Sequence, residues 1–202
     1  MKIPIFNIFL IISFIISFLP IYLSSSPKLR LLYSKQSKII IDYIGEGNPI
    51  VINENFNDKP DIIYFNGSNY TIDGIKSLQL GNGTNEFVLI WNHNLTDCSK
   101  MFKDVDNISK IDFSDFDTSE VTDMNEIFNG CQNLVSLNLS NFETSKVINI
   151  SRMFKGCSKI SSLNLKDFNT SKVIDMSEMF NGCTNLLSIN MNNFNTSNVK
   201  NM

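Results

Sequence analysis

Leu134-Val135-Ser136-Leu137-Asn138-Leu139-Ser140-Asn141-Phe142-Glu143-Thr144-Ser145-Lys146-Val147 decides the fold, because this stretch returns along the chain every 26 residues. Phe116, Phe142, Phe168 and Phe194 share one register, and Thr118-Ser119, Thr144-Ser145, Thr170-Ser171 and Thr196-Ser197 share another. Phe128-Asn129-Gly130-Cys131, Phe154-Lys155-Gly156-Cys157 and Phe180-Asn181-Gly182-Cys183 fall on a third. A fixed period in the twenties predicts stacked units, each burying its apolar side only against its neighbours. The apolar positions between these markers repeat too: Val121, Val147, Val173 and Val199, then Leu134, Ile160 and Leu186, then Leu139, Leu165 and Met191. Residues of similar volume recur because the same close-packed pocket is rebuilt in each unit.

Within the unit, Leu134 to Leu139 reads L-x-x-L-x-L, the strand signature of a leucine-rich repeat. Strand alternation sends Leu137 and Leu139 inward and Ser136 and Asn138 outward. Val121, Met124, Ile127 and Phe128 are spaced three, three and one, which predicts a short α- or 3₁₀-helix on the outer side, ended by Gly130. The expected fold is an α/β solenoid: a right-handed leucine-rich-repeat coil of short strands and short outer helices, preceded by a small β-rich N-terminal cap.

That cap is predicted over residues 26–91, where nothing follows the 26-residue register. Ile39-Ile40-Ile41 and Pro49-Ile50-Val51-Ile52 flank Gly45-Glu46-Gly47-Asn48 and predict a hairpin. Ile62 to Phe65, Ile75 to Leu80 and Phe87 to Trp91 predict further strands. Residues 92–202 hold the repeats, about four, with the last truncated. At the other end, Lys2, an apolar run from Ile3 to Leu23 and then Ser24, Ser25 and Ser26 define a separate segment, residues 1–25. It reads as a secretory signal peptide or, uncleaved, as an N-terminal anchor; a buried core helix is the third reading. Export or anchoring places the rest of the chain outside the cell, secreted or at the cell surface.

Leu137 to Val147, followed by Ser151-Arg152-Met153-Phe154-Lys155-Gly156-Cys157, resembles the BspA-like family of leucine-rich-repeat surface proteins. The resemblance spans residues 94–202 and implies an exported or surface-displayed solenoid with adhesive roles in host or matrix binding. It supplies no catalytic residues. Ile150, in place of the family's Met, and Cys98 and Val105 in the first unit depart from its pattern.

The chain has 202 residues, a formal net charge of -3 and 43% hydrophobic residues, so no basic stripe speaks for nucleic acid and disorder is excluded by composition. No Gly-rich phosphate loop, H-E-x-x-H or G-x-S-x-G is present, and His93, the single histidine, has no Cys or Ser partner at a catalytic spacing. The reading is therefore not an enzyme, with no catalytic residue, no cofactor and no metal. Cys131, Cys157 and Cys183 read as stacked core thiols, a disulfide and a metal set being the alternatives. Asp112, Asp115 and Asp117 read as a solvated turn or as calcium ligands.

The candidate contact surface is the outward strand face: Ser136, Asn138, Ser162, Asn164, Ser188 and Asn190. It predicts a binding or adhesion module for an extracellular protein or carbohydrate. End-to-end self-association into a structural surface assembly, and a fragment of a larger surface receptor, are the alternatives. Membrane contact is expected only through the N-terminal segment if it stays uncleaved. Asn66, Asn82, Asn169 and Asn195 head Asn-x-Ser/Thr triplets in predicted turns and are the glycosylation candidates.

Overall fold

The structure, a computed structural model, describes residues 37–202; the expected signal or anchor over residues 1–25 lies outside the described residues. The described residues form one compact unit. Its first half is built on a strand with a strict period of two. In β1, Ser37–Ile44, the residues Ser37, Ile39, Ile41 and Tyr43 are buried while their neighbours are half-buried. β2 is Ile62–Phe65, β3 Ser68–Tyr70, β4 Thr84–Trp91 and β5 Ile108–Asp115. Three-residue strands follow at the repeat interval: β6 Ser136–Asn138, β7 Ser162–Asn164 and β8 Ser188–Asn190. A mixed six-stranded sheet runs in the order β3-β2-β4-β1-β5-β6, and β7 and β8 pair separately. β1 is antiparallel to both β4 and β5, whereas β5 pairs β6 in parallel.

The hairpin predicted around Gly45–Asn48 does not form. β1 takes its partners from farther along the chain, and Pro49 lacks the N–H that a paired strand would need. Val51 and Ile52 are still buried, but as irregular backbone. Ile75 to Leu80 is not a strand either. Ile72–Ile75 makes a single helical turn, α1, whose first turn is capped by Thr71 Oγ1 accepting from the Gly74 N–H at 3.1 Å. The strands expected at Ile62 to Phe65 and Phe87 to Trp91 are present, and the Asn66-Gly67 turn joins β2 to β3 with positive φ at both residues.

The larger correction concerns the repeats. The helix-bearing leucine-rich-repeat solenoid is not what the chain forms: the described residues are mostly sheet and turn, and the one helix among them, α1, lies outside the repeats. Residues 121–128, expected as a helix, are irregular backbone around a parallel bridge at Asp123, followed by turns from Asn125 onward. Glu126, Arg152 and Glu178 hold φ near +55° (56°, 55° and 55°), the left-handed region, which interrupts any right-handed helix at that point. Gly130, Gly156 and Gly182, four residues on, also have positive φ. The result is a folded ribbon in which alternate N–H groups leave the unit. Those of Met124, Glu126, Phe128 and Gly130 donate to the carbonyls of Asn149, Ser151, Met153 and Lys155 at 3.0, 3.0, 3.0 and 2.8 Å. The intervening Ile127, Asn129 and Cys131 bond three residues back. Parallel bridges at Asp97, Asp123, Asn149, Asp175 and Asn201 mark the same 26-residue step.

Side chains follow that step. Phe102, Phe128, Phe154 and Phe180 stack with ring centroids 6.2, 5.5 and 5.8 Å apart. Phe142, Phe168 and Phe194 make a second column at 5.9 and 6.4 Å. Each fully buried ring contributes about 1.5–3 kcal/mol through lost water contact. Trp91 packs edge-on against Phe116 at 5.4 Å and donates from Nε1 to the Asp58 carbonyl at 2.8 Å, so the last residue of β4 joins the sheet core to the repeats.

Candidate functional site

The Thr-Ser pairs position the strand face. Thr118, Thr144 and Thr170 are buried, and each hydroxyl ties one residue of the next unit from both sides. Thr144 Oγ1 donates to the Asn169 carbonyl at 3.2 Å and accepts the Asn169 N–H at 2.8 Å. Thr118 treats Glu143 in the same way, and Thr170 treats Asn195. The preceding side chain closes the turn: Asp117, Glu143, Asn169 and Asn195 accept from the N–H of Ser119, Ser145, Ser171 and Ser197. These hydrogen bonds fix the height of each unit and hence the alignment of the strands.

On that frame β7 and β8 run parallel in register, Ser162 opposite Ser188 and Asn164 opposite Asn190. Ser136, Ser162 and Ser188 are exposed, as is Asn164, while Asn138 and Asn190 are half-buried. Asn138 gives its amide N–H to Asp112 Oδ1 at 3.0 Å and accepts from the Ser140 N–H at 3.1 Å, so it is occupied on both sides. Asn164 and Asn190 accept only from the N–H of Lys166 and Asn192. Among the described residues their amide nitrogens have no partner, and neither do the Ser162 and Ser188 hydroxyls. Val135 and Leu187 flank the face, 52% and 89% exposed. The predicted residues thus fall into two groups: Ser136 and Asn138 at the edge of the large sheet, and Ser162, Asn164, Ser188 and Asn190 on the small one.

Other expectations resolve individually. All four cysteines are free. The thiols of Cys131, Cys157 and Cys183 donate to the carbonyls of Phe102, Phe128 and Phe154 at 3.1, 3.2 and 3.0 Å, so the core-thiol reading stands and the disulfide does not. Burial pushes the thiols up from their ordinary range. Asp112, Asp115 and Asp117 serve separate partners, Ser114 and Asn138, Lys38, and Ser119 in turn. No group of three metal-ligating side chains occurs among the described residues. The glycosylation candidates Asn66, Asn82, Asn169 and Asn195 are all exposed. Among the described residues no helix is long and apolar enough to cross a membrane.

Two features escaped the sequence reading. Lys100, Glu126, Arg152 and Glu178 occupy one register with alternating charge. Glu126 bonds Lys103 at 2.6 Å and faces Arg152 at 3.5 Å; Glu178 bonds Arg152 at 2.7 Å and Lys155 at 2.5 Å. The signal was the sign alternation at the repeat step. The second is His93, whose Nε2 lies 2.9 Å from Asp58 Oδ1 and whose Nδ1 lies 3.4 Å from Asp61 Oδ2. No spacing in the sequence announces that pair. The hydrogen bond to Asp58 outweighs partial burial and, with the Asp61 charge, raises the imidazole above its usual 6.5. A raised folded value stabilises the fold fully below about 6.5, and that contribution fades as pH rises through the folded value. The group is well exposed, so the effect is small. His93→Gln is expected to flatten the thermal midpoint between pH 6 and 8 relative to the parent chain; an unchanged pH profile refutes the coupling.

Buried ring columns, threonine clamps and an outward polar strand face define a repeat protein whose distinctive surface is a set of stacked, near-identical rows. Residues 96–202, more than half of the chain, match the family described as "Mycoplasma protein of unknown function, DUF285", and the chain belongs to that surface-repeat family. No curated protein and no solved structure matches the chain.

Proposed function

We propose that the protein is an exported or cell-surface binding module that holds an extracellular protein or glycan against its outward strand rows, in the manner the BspA-like resemblance implies. The observation that carries this reading is the row formed by Ser162, Asn164, Ser188 and Asn190. Among the described residues its hydroxyls and two amide nitrogens are unspent on the fold and repeat in register. Rows about 4.8 Å apart suit an extended peptide or a glycan chain, whose own polar groups recur along their length. Exposed Leu187 and Val135 add apolar contact beside the polar rows. Export is supported by the N-terminal sequence and by membership of a surface-repeat family. Exposed Asn66, Asn82, Asn169 and Asn195 remain the acceptors proposed for glycans in a host that attaches them.

The test is saturable binding of the purified full chain to an immobilised extracellular-matrix coat and to a glycan array. Ser162→Glu with Asn164→Lys is expected to weaken binding at least tenfold while the thermal midpoint stays within a few degrees, because exposed substitutions of this kind cost little stability. Binding unaffected by that double change overturns the assignment of the face.

A further inference from the structure

A cavity of about 290 Å³ lies where the chain enters the repeats, and its lining shares no residue with the strand face. Residues 55–58 form one wall; Thr96, Asp97, Ser99 and Lys100 form the other. Both walls are held by bonds that the fold already makes. Asn53 donates from its backbone N–H to the Met101 carbonyl at 2.8 Å and from Nδ2 to the Lys103 carbonyl at 2.6 Å, and its Oδ1 accepts the Asn55 N–H at 2.8 Å. The Asp58 carbonyl accepts from Trp91, and its carboxylate meets His93. Opposite, the Lys100 N–H donates to the Asn125 carbonyl at 2.9 Å, and Asp97 Oδ1 accepts the Ser99 N–H at 2.7 Å. The cavity is therefore set before any ligand arrives.

The groups left over are polar and of both kinds. The side-chain amides of Asn55 and Asn57 and the hydroxyls of Thr96 and Ser99 have no hydrogen-bond partner among the described residues, and Asp58 and Asp97 each keep a second oxygen. Lys100 makes no close ion pair among the described residues, although its charge acts on Asp123 and Glu126. Phe56, the one apolar residue of the lining, is buried. An apolar ligand would take water from these groups and return nothing. Asp58 is matched by His93, and Asp97 shares the lining with Lys100, so the cavity favours neither an anion nor a cation. A neutral ring bearing several hydroxyls suits the set. Each hydroxyl can donate to a carboxylate or amide oxygen and accept from an amide, hydroxyl or ammonium.

We infer that this cavity binds one neutral hexose unit, its hydroxyls on Asp58, Asp97 and the Asn55 and Asn57 amides. The probes are methyl glucoside, methyl galactoside and methyl mannoside, with cyclohexanol as a ring of the same size that carries a single hydroxyl. Each is titrated into the full chain and followed by backbone amide chemical shifts. At least one glycoside is expected to saturate, with its largest shifts at residues 55–58 and 96–100, while cyclohexanol moves nothing there. Asp97→Asn keeps the oxygen that accepts the Ser99 N–H, as Asn149 does for Ser151 in the same register. It removes the charge, and it should weaken the glycoside about tenfold, the loss expected of a hydrogen bond to a charged group. Asn57→Ala, at an exposed side chain that holds nothing in the fold, should weaken it several-fold. The Ser162→Glu, Asn164→Lys double change should leave this binding as it was, so the site stands or falls apart from the strand face. Absence of saturable glycoside binding, equal binding of cyclohexanol, shifts confined to the strand face, or affinity indifferent to both Asp97→Asn and Asn57→Ala overturns the inference.

Discussion

Phe154→Ala is expected to lower the unfolding free energy by about 3–5 kcal/mol. The ring is fully buried and lies between Phe128 and Phe180, stacked at 5.5 and 5.8 Å. Truncation removes the transfer term and strips one face from each neighbouring ring. The gap cannot close, because the backbone on either side is bonded to the next unit: the Phe154 N–H donates to Met179, and its carbonyl accepts the Cys183 thiol. Phe194, only half-buried, is the internal comparison, and Phe194→Ala should cost less than half as much. Urea unfolding followed by circular dichroism measures both. A loss below about 1 kcal/mol at Phe154 contradicts a stacked column.

Glu126→Lys is expected to cost roughly 2–4 kcal/mol. Glu126 is 7% exposed and is held by Lys103 on one side and Arg152 on the other. Burial raises its carboxyl, but the Lys103 hydrogen bond and the surrounding positive charge outweigh that and hold it below the usual carboxylate range. Its stabilising contribution is therefore present above the unfolded value near 4.5 and is lost as pH falls through the lower folded value. A lysine there replaces two attractions with two repulsions, and it must also keep the left-handed φ of 56°. Glu126→Gln separates the terms: it retains the shape, loses the charge, and should cost about 1–2 kcal/mol, since Lys103 and Arg152 are partly solvated and Arg152 keeps Glu178. Equal stability of the parent and Glu126→Lys chains would show that the charge alternation has no bearing on the stacking.

Much of the repeat region was legible because its signal is redundant. The Phe, Val and Leu columns announce themselves by recurrence, and the Thr-Ser pairs by position, although the clamp made by Thr144 is visible only once Asn169 is seen above it. The misreading at residues 121–128 has a definite physical source. Apolar residues at Val121, Met124, Ile127 and Phe128 suit a helix face and suit equally a ribbon of turns that points every third side chain inward. What distinguishes them is the left-handed backbone at Glu126, and glutamate gives no sign of it. Gly130, one turn later, has the left-handed backbone that glycine signals, but a glycine there suits a helix cap equally well. In the first half, Pro49 could have warned against a hairpin. The antiparallel partners of β1 begin 40 and 64 residues beyond its last residue, a distance no local pattern encodes. For the candidate face, alternation correctly put Ser136, Ser162 and Ser188 outward. It could not reveal that Asn138 is tied to Asp112 while the amide nitrogens of Asn164 and Asn190 have no partner among the described residues.

Residue-resolved amide hydrogen exchange across 121–131 tests the stacked ribbon most directly, because the Met124, Glu126, Phe128 and Gly130 amides bond across to the next unit and Asn125 bonds only to the Asp123 side chain. The account predicts Met124, Glu126, Phe128 and Gly130 slow, near the limit set by global unfolding, and Asn125 at least a hundredfold faster. A helix would leave Met124 unprotected with its first turn and protect 125–128 uniformly; that pattern would contradict it.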